Sequence, residues 1–205
     1  MSGAPTPALL ELVAGRRGHF RLESGHHGAL WLDLDPLFAA PRRIAPFVDA
    51  LAHRLRPHAP AAVCGPLVGG AFLAQLVAHA LDTEFSFTER LMPGDADGMY
   101  GARYVLPAAF MERVRGKRVA MVDDVMSAGS ALRGTYAELK LHGAMPVVAG
   151  ALLVLGTTGA SFFAEHGVPV EAVARDEYEL WLPAVCPLCA AGVPLEDPVA
   201  AAHCG

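Results

Sequence analysis

The chain has 205 residues, 53% of them apolar and 18% charged, enough for one packed domain with at most a small appendage and unlike a disordered chain. Its net charge of -5, without a Lys or Arg run, disfavours nucleic acid as a partner, and no apolar run is long enough to cross a membrane. The N-terminus lacks a secretory pattern, and the 4 cysteines therefore point to a reducing, cytoplasmic setting and not to a disulfide framework.

In chain order, Pro7–Ala14 is expected as a short helix closed by Gly15. Phe20, Leu22, Leu30, Leu32 and Leu34 then alternate with other residues, which predicts a hairpin turning at Ser24 and Gly25. His26 and His27 sit in or just after that turn, where solvated histidines are an ordinary finding. Ile44, Phe47, Val48, Leu51 and Leu55 repeat at helical spacing and predict a covering helix over Arg42–Arg56. Ala61–Cys64 is a short buried strand running into the turn Gly65 to Gly70 and a second helix. Such a glycine-rich turn lets backbone amides approach anionic oxygens, although turns of this kind also serve packing alone. Glu84–Thr88 is the next strand, and from Leu91 to Arg115 the periodicity dissolves into a long loop with strand pieces around Ala102–Leu106. Loops of that length inside a compact domain usually carry function.

The most informative stretch runs from Lys117 to Gly143. Arg118–Val122 is an apolar run that reads as a strand buried on both faces. Asp123 and Asp124 follow at once, then the small-residue loop Ser127, Ala128, Gly129 and Ser130. A helix comes next, with Leu132, Tyr136 and Leu139 on one side and Gly143 as its stop. Unpaired amides at a helix start carry partial positive charge and cradle phosphate, and the two Ser hydroxyls can add donors. The carboxylates can instead accept hydrogen bonds from sugar hydroxyls or hold a hydrated Mg2+. Read without that ligand, the same stretch is a buried strand whose two Asp residues start a turn and cap a helix. Neither the G-x-x-x-x-G-K-[ST] phosphate loop nor the G-x-G-x-x-G dinucleotide turn occurs in the chain. Met145–Leu155, Ser161–His166 and Val168–Val173 complete the pattern as strand, short helix and strand, and Arg175 to Glu177 read as a solvated turn.

Val119 to Ala131, VAMVDDVMSAGSA, resembles the ribose-phosphate signature of the type I phosphoribosyltransferases: an apolar strand, two acids, an apolar residue, then x-S/T-x-G-S/T. The resemblance implies that Asp123 and Asp124 act on the ribose as catalytic residues. Val125, Met126, Ser127, Ala128, Gly129, Ser130 and Ala131 would form the loop for the 5-phosphate of 5-phosphoribosyl 1-pyrophosphate (PRPP). Residues 18 to 38 are similar to the N-terminal hood of the orotate enzymes in that family, which closes over the base, so Phe20, His27 and Trp31 become base-binding candidates. The turn after the first core strand matches the family's pyrophosphate turn at Leu67, Val68 and Gly69. The family's mobile catalytic loop would fall in the stretch from Leu91 to Arg115. Orotate enzymes carry a Lys-rich R-K-x-x-K-x-H-G there, whereas this chain has no Lys or His between Thr88 and Arg115. Arg90 is then the cation expected to meet pyrophosphate, and Arg103 the expected catalytic cation, since guanidinium pairs with oxyanions bidentately. Where orotate enzymes continue with an Asp-Arg pair, this chain reads Leu155, Gly156, Thr157, Thr158.

The tail holds Cys186 and Cys189 in a C-x-x-C knuckle, which is zinc spacing but half of a tetrahedral set. Cys204, His203 and Cys64 are the conceivable partners, no second knuckle exists, and the balance falls against bound zinc. A redox pair would want a thioredoxin-type βαβ start nearby, which is missing. A similar C-P-L-C-x-x-G-x-P-L tail ends some bacterial sequences resembling the orotate enzymes.

The expected architecture is α/β, a central mostly parallel sheet flanked by helices in the type I phosphoribosyltransferase fold. It divides into an N-terminal helix and hood hairpin (1–40), a core (41–175) and the C-terminal tail (176–205). The expected reaction passes the phosphoribosyl group of PRPP to a nitrogenous base, with orotate the leading base and Mg2+ the cofactor. A homodimer is implied by the family's cross-subunit loop. Two other readings stand beside it: the same chemistry on another base, or a non-catalytic PRPP or nucleotide sensor, suggested by the Lys-free loop.

Overall fold

The structure, a computed structural model, describes residues 14–91 and 102–198. The short helix expected over Pro7–Ala14, most of the long loop after Leu91, and Cys204 and His203 lie outside those residues, except that Ala14 already opens a strand.

The hairpin forms as expected. Strand β1 (Ala14–Arg21) pairs antiparallel with β2 (His27–Asp33), and Gly25 turns with a φ of 82°. The short helix α1 (Asp35–Phe38) leads into α2 (Pro41–Leu55), whose buried stripe is the one the periodicity predicts. The core then alternates: β3 (Ala62–Pro66), α3 (Gly69–Leu81), β4 (Glu84–Leu91), β5 (Arg103–Val105), α4 (Ala108–Val114), β6 (Arg118–Met126), α5 (Ser130–Leu141), β7 (Met145–Leu155), α6 (Thr158–Glu165) and β8 (Val170–Asp176). The sheet order is β5-β4-β3-β6-β7-β8, parallel throughout except for the β4–β5 pair.

Strand β6 explains why its sequence is apolar without alternation. Ala120 and Val122 face one core with α2 and α3, through Leu51, Leu55, Leu73 and Val77. Val119 and Met121 face the other core with α4 to α6, through Val114, Leu132, Leu139 and Phe163. Each face must be covered by helices, and both are.

Three sequence expectations change. Residues 108–114 are helix and not loop: Pro107 precedes the first turn and Val114 is buried in the core. The pattern was too short to show periodicity. Strand β6 also continues through both acids to Met126, because Asp123, Val125 and Met126 keep pairing with β7. Arg175 and Asp176 belong to the exposed end of β8, not to a turn.

The chain goes one way from β3 through α3 to β4, and the other way from β6 through α5 to β7. The order therefore reverses between β3 and β6, and a crevice opens at the carboxyl ends of those two strands, where α/β sheets bind ligands.

Candidate active site

That crevice collects residues that the sequence holds more than 50 positions apart. From β6 come Asp123 and Asp124, both half-buried. Opposite them is the start of α3, which is glycine at its first two positions. A Cβ on Gly69 would lie 2.0 Å from Asp124 Oδ2, and one on Gly70 would lie 2.7 Å from Asp123 Oδ1. The glycines are what allow both carboxylates to sit against the turn Leu67 to Gly69. That turn contains a cis peptide between Leu67 and Val68, and both side chains are exposed.

The acids are held from their own backbone. Asp124 N–H donates to Asp123 Oδ1 at 3.1 Å, and Val125 N–H donates to Asp124 Oδ1 at 2.7 Å. Burial raises the Asp123 carboxyl well above the ordinary carboxylate range, and the charges of Asp124 and then Glu23 raise it further. A site that resists its own negative charge favours a cation or a polar hydroxyl beside it.

Beyond the acids the chain makes the loop that starts α5. Gly129 takes φ 77° at the helix N-cap, a conformation that suits glycine, and no side chain caps the helix. Its first amides are thus left for a ligand. Gly159 N–H donates to Ser127 O at 3.0 Å, so α6 braces the loop from behind. Met126 and Ala128 turn into the core. Asp123, Ser127, Gly129 and Ser130 face a pocket of about 150 Å³, closed from the hood turn by Glu23 and Ser24.

A second pocket of about 240 Å³ adjoins it, sharing Leu22, Glu23, Val125 and Ser127. Trp31 and Leu34 from the hood, Leu155 from β7 and Tyr178 from the tail make its mostly apolar walls. Sequence reasoning had no signal for Tyr178. It also missed Tyr104, whose hydroxyl donates to Glu23 at 2.8 Å and so ties the hood turn to β5. Burial, followed by the charge of Glu23, pushes the Tyr104 phenol far up, so it stays a donor at any working pH.

The other candidates fall as follows. Arg90 is half-buried on β4 beside Tyr104, and its Nε has no hydrogen-bond partner among the described residues. Arg103 is exposed on β5 and lines a neighbouring cleft of about 440 Å³ with Arg133 and with Ser130, which the first pocket shares. Two base-binding expectations need correction. Phe20 is fully buried beneath Trp31, with ring centroids 6.4 Å apart, and cannot touch a ligand. His27 is also buried and lines neither pocket; its Nδ1 lies 3.0 Å from His19 Nε2 and 3.3 Å from Cys189 Sγ. His26 is buried beside Ser24, and burial and then Arg133 push its imidazole down, away from a cationic role. Cys64, once a conceivable metal partner, sits in β3 with its thiol pushed up to about 12 by burial.

No protein-family model matches the sequence. The chain is 31% identical over 196 residues to the orotate phosphoribosyltransferase of Thermotoga maritima, covering 94% of this chain and 92% of that protein. It is 34% identical over 192 residues to the orotate phosphoribosyltransferase of Carboxydothermus hydrogenoformans, covering 93% of each. Among solved structures, the orotate phosphoribosyltransferase of Aeropyrum pernix superposes with a TM-score of 0.62 at 22% identity, over 83% of this chain and 90% of that one.

Proposed function

Because the chain belongs to the orotate phosphoribosyltransferase family, we propose that it transfers the 5-phosphoribosyl group of PRPP to orotate, giving orotidine 5'-monophosphate and pyrophosphate, a step of pyrimidine nucleotide synthesis. The observation that carries this reading is the meeting of three devices at one crevice: the acidic pair, the uncapped α5 loop and the glycine start of α3.

In this reading the amides of Met126 to Ser130 hold the 5-phosphate. Asp123 and Asp124 accept the ribose 2- and 3-hydroxyls and stabilise the cationic sugar as the C1–O bond opens. The turn Leu67 to Gly69 holds pyrophosphate, and Arg90, whose Nε has no hydrogen-bond partner among the described residues, is the cation assigned to it. Arg103, exposed beside the loop, can swing toward the departing group. Trp31 and Tyr178 line the pocket for the base, and Glu23 borders both substrates. Most of the rate gain then comes from positioning and preorganised charge, without a covalent intermediate.

The acidic pair also fits Mg2+: two carboxylates at a strand end, one of them raised by burial and then by its neighbour's charge, are hard oxygen donors suited to a hydrated dication. Bound with PRPP at Asp123 and Asp124, the ion would neutralise charge on the pyrophosphate. The family's cross-subunit loop supports a homodimer, and the unpaired thiols Cys64, Cys186 and Cys189 support the cytoplasm. Among the described residues no helix is long and apolar enough to cross a membrane.

The apolar walls of the base pocket, and Gly156-Thr157-Thr158 in place of an Arg, favour a second reading in which another base is the acceptor. Pyrophosphate release from PRPP and Mg2+ with a panel of bases decides: turnover of orotate is expected. Turnover of a different base alone would replace orotate, and tight PRPP binding without release for any base would make the protein a sensor.

A further inference from the structure

The hairpin and the tail meet at a cluster that the transfer reaction does not use. His19 on β1 and His27 on β2 approach Cys186 and Cys189 of the tail knuckle, and their four ligand atoms all lie within 4.8 Å of one another. His19 Nε2 is 3.0 Å from His27 Nδ1, 3.4 Å from Cys186 Sγ and 3.7 Å from Cys189 Sγ. His27 Nδ1 is 3.3 Å from Cys189 Sγ. With Zn–N bonds of about 2.0–2.1 Å and Zn–S bonds of about 2.3 Å, the edges of a tetrahedron around zinc run to about 3.3–3.8 Å. Those four spacings lie within a few tenths of an ångström of such edges, and no pair in the cluster is more than 4.8 Å apart.

The outer shell points the same way. His19 Nδ1 lies 2.8 Å from the carbonyl of Val193, which can only accept, so the His19 proton is on Nδ1. Its Nε2 lone pair is then aimed at the other three atoms of the cluster. This is the arrangement by which a second hydrogen bond orients a metal-bound imidazole. His19, His27 and Cys186 are buried and Cys189 is exposed, so all four positions of a closed site come from the chain and none is left for water or substrate.

We propose that these four residues bind one Zn2+ as a structural Cys2His2 site that clips the C-terminal tail to the hood. Two thiolates and two imidazoles in tetrahedral array suit zinc over magnesium or calcium, which require oxygen ligands. The tail needs such a clip. Of its described apolar residues only Cys186 is buried, while Leu182, Val185, Val193 and Leu195 are exposed. Among the described residues, backbone pairing holds it to the hairpin at two points, Trp181 to His27 and Glu196 to His19 and Arg21. Both points border the metal ligands, so one ion locks both. Because Tyr178 of the tail also donates to Leu30 O at 3.0 Å, the clip fixes one wall of the pocket beside Trp31.

Metal binding here is independent of which base, if any, the protein uses. The test is elemental analysis of full-length protein from zinc-supplemented medium after gel filtration, with one zinc per chain expected. Replacement by Co2+ is expected to give intense visible d–d bands and thiolate-to-cobalt charge transfer of a tetrahedral site. Cys189→Ser, at the exposed ligand, should lose at least tenfold in zinc affinity while keeping its circular dichroism spectrum. Metal far below one equivalent, a weak octahedral cobalt spectrum, a Cys186–Cys189 disulfide in freshly purified protein, or unchanged affinity in Cys189→Ser would each overturn the site. The cobalt spectrum of the unaltered chain keeps the test decisive even if the variant misfolds.

Discussion

Gly69→Ala separates what this fold needs from what its site needs. The backbone at Gly69 is not left-handed, so Ala fits it, and at the start of α3 a Gly to Ala change alone would stabilise by about 0.5–1 kcal/mol. The added methyl, however, would sit 2.0 Å from Asp124 Oδ2 and 2.9 Å from its Cγ, against 3.4 Å from Phe38 Cε2. Contacts that short do not persist, and the carboxylate must retreat by an ångström or more. Since the obstructing atom is the tip of a flexible side chain, the fold gives way cheaply there. Catalysis does not, because about 1 Å of misplacement costs on the order of 100-fold, or about 2.7 kcal/mol of transition-state stabilisation. The expected result is a folded protein whose melting temperature is unchanged within a few degrees and whose kcat/KM for PRPP falls roughly 100-fold. Measuring orotidine 5'-monophosphate formation beside a thermal melt checks both halves. Full activity in a stable variant would refute the role given to the Asp124 position.

Asp124→Asn should abolish most turnover and yet stabilise the protein at neutral pH. Asp123 is raised by burial and then by the Asp124 charge, so the native state holds a proton that the unfolded chain releases. Stability therefore declines as pH climbs from the ordinary carboxylate value through the raised one, and removing the Asp124 charge relieves part of that loss. Melts of both proteins should diverge at neutral pH and converge below about pH 4, and parallel curves would dismiss the coupling. Tyr104→Phe deletes the 2.8 Å bond to Glu23, a hydrogen bond to a charged group, at a cost of about 1.5–3 kcal/mol. With the hood turn released from β5, KM for PRPP and for the base should rise together while kcat changes less; unaltered KM values would show that the hood is held elsewhere.

The sequence on its own determined the local structure of the proposed phosphate site. Strand, acids, small-residue loop and helix are contiguous between Arg118 and Leu141, and local sterics and helix-end amides act over such short distances, so their order in the chain is already their order in space. The covering helix α2 was equally legible, because a 3.6-residue period survives translation into one buried face. Only the tertiary structure decided which partners come from afar. Nothing about Gly69 says that it must stay bare for Asp124, nothing in the Leu-Glu-Ser-Gly turn names Tyr104, and no spacing links His19 and His27 to a cysteine pair about 160–170 residues away. Such meetings are set by how a twisted sheet, its crossovers and a docked tail close on one another, and that geometry has no period to read along the chain. His27 shows the difference at one residue: its place in the hairpin was readable, but the element packed against that hairpin turned an expected base contact into a neighbour of thiols.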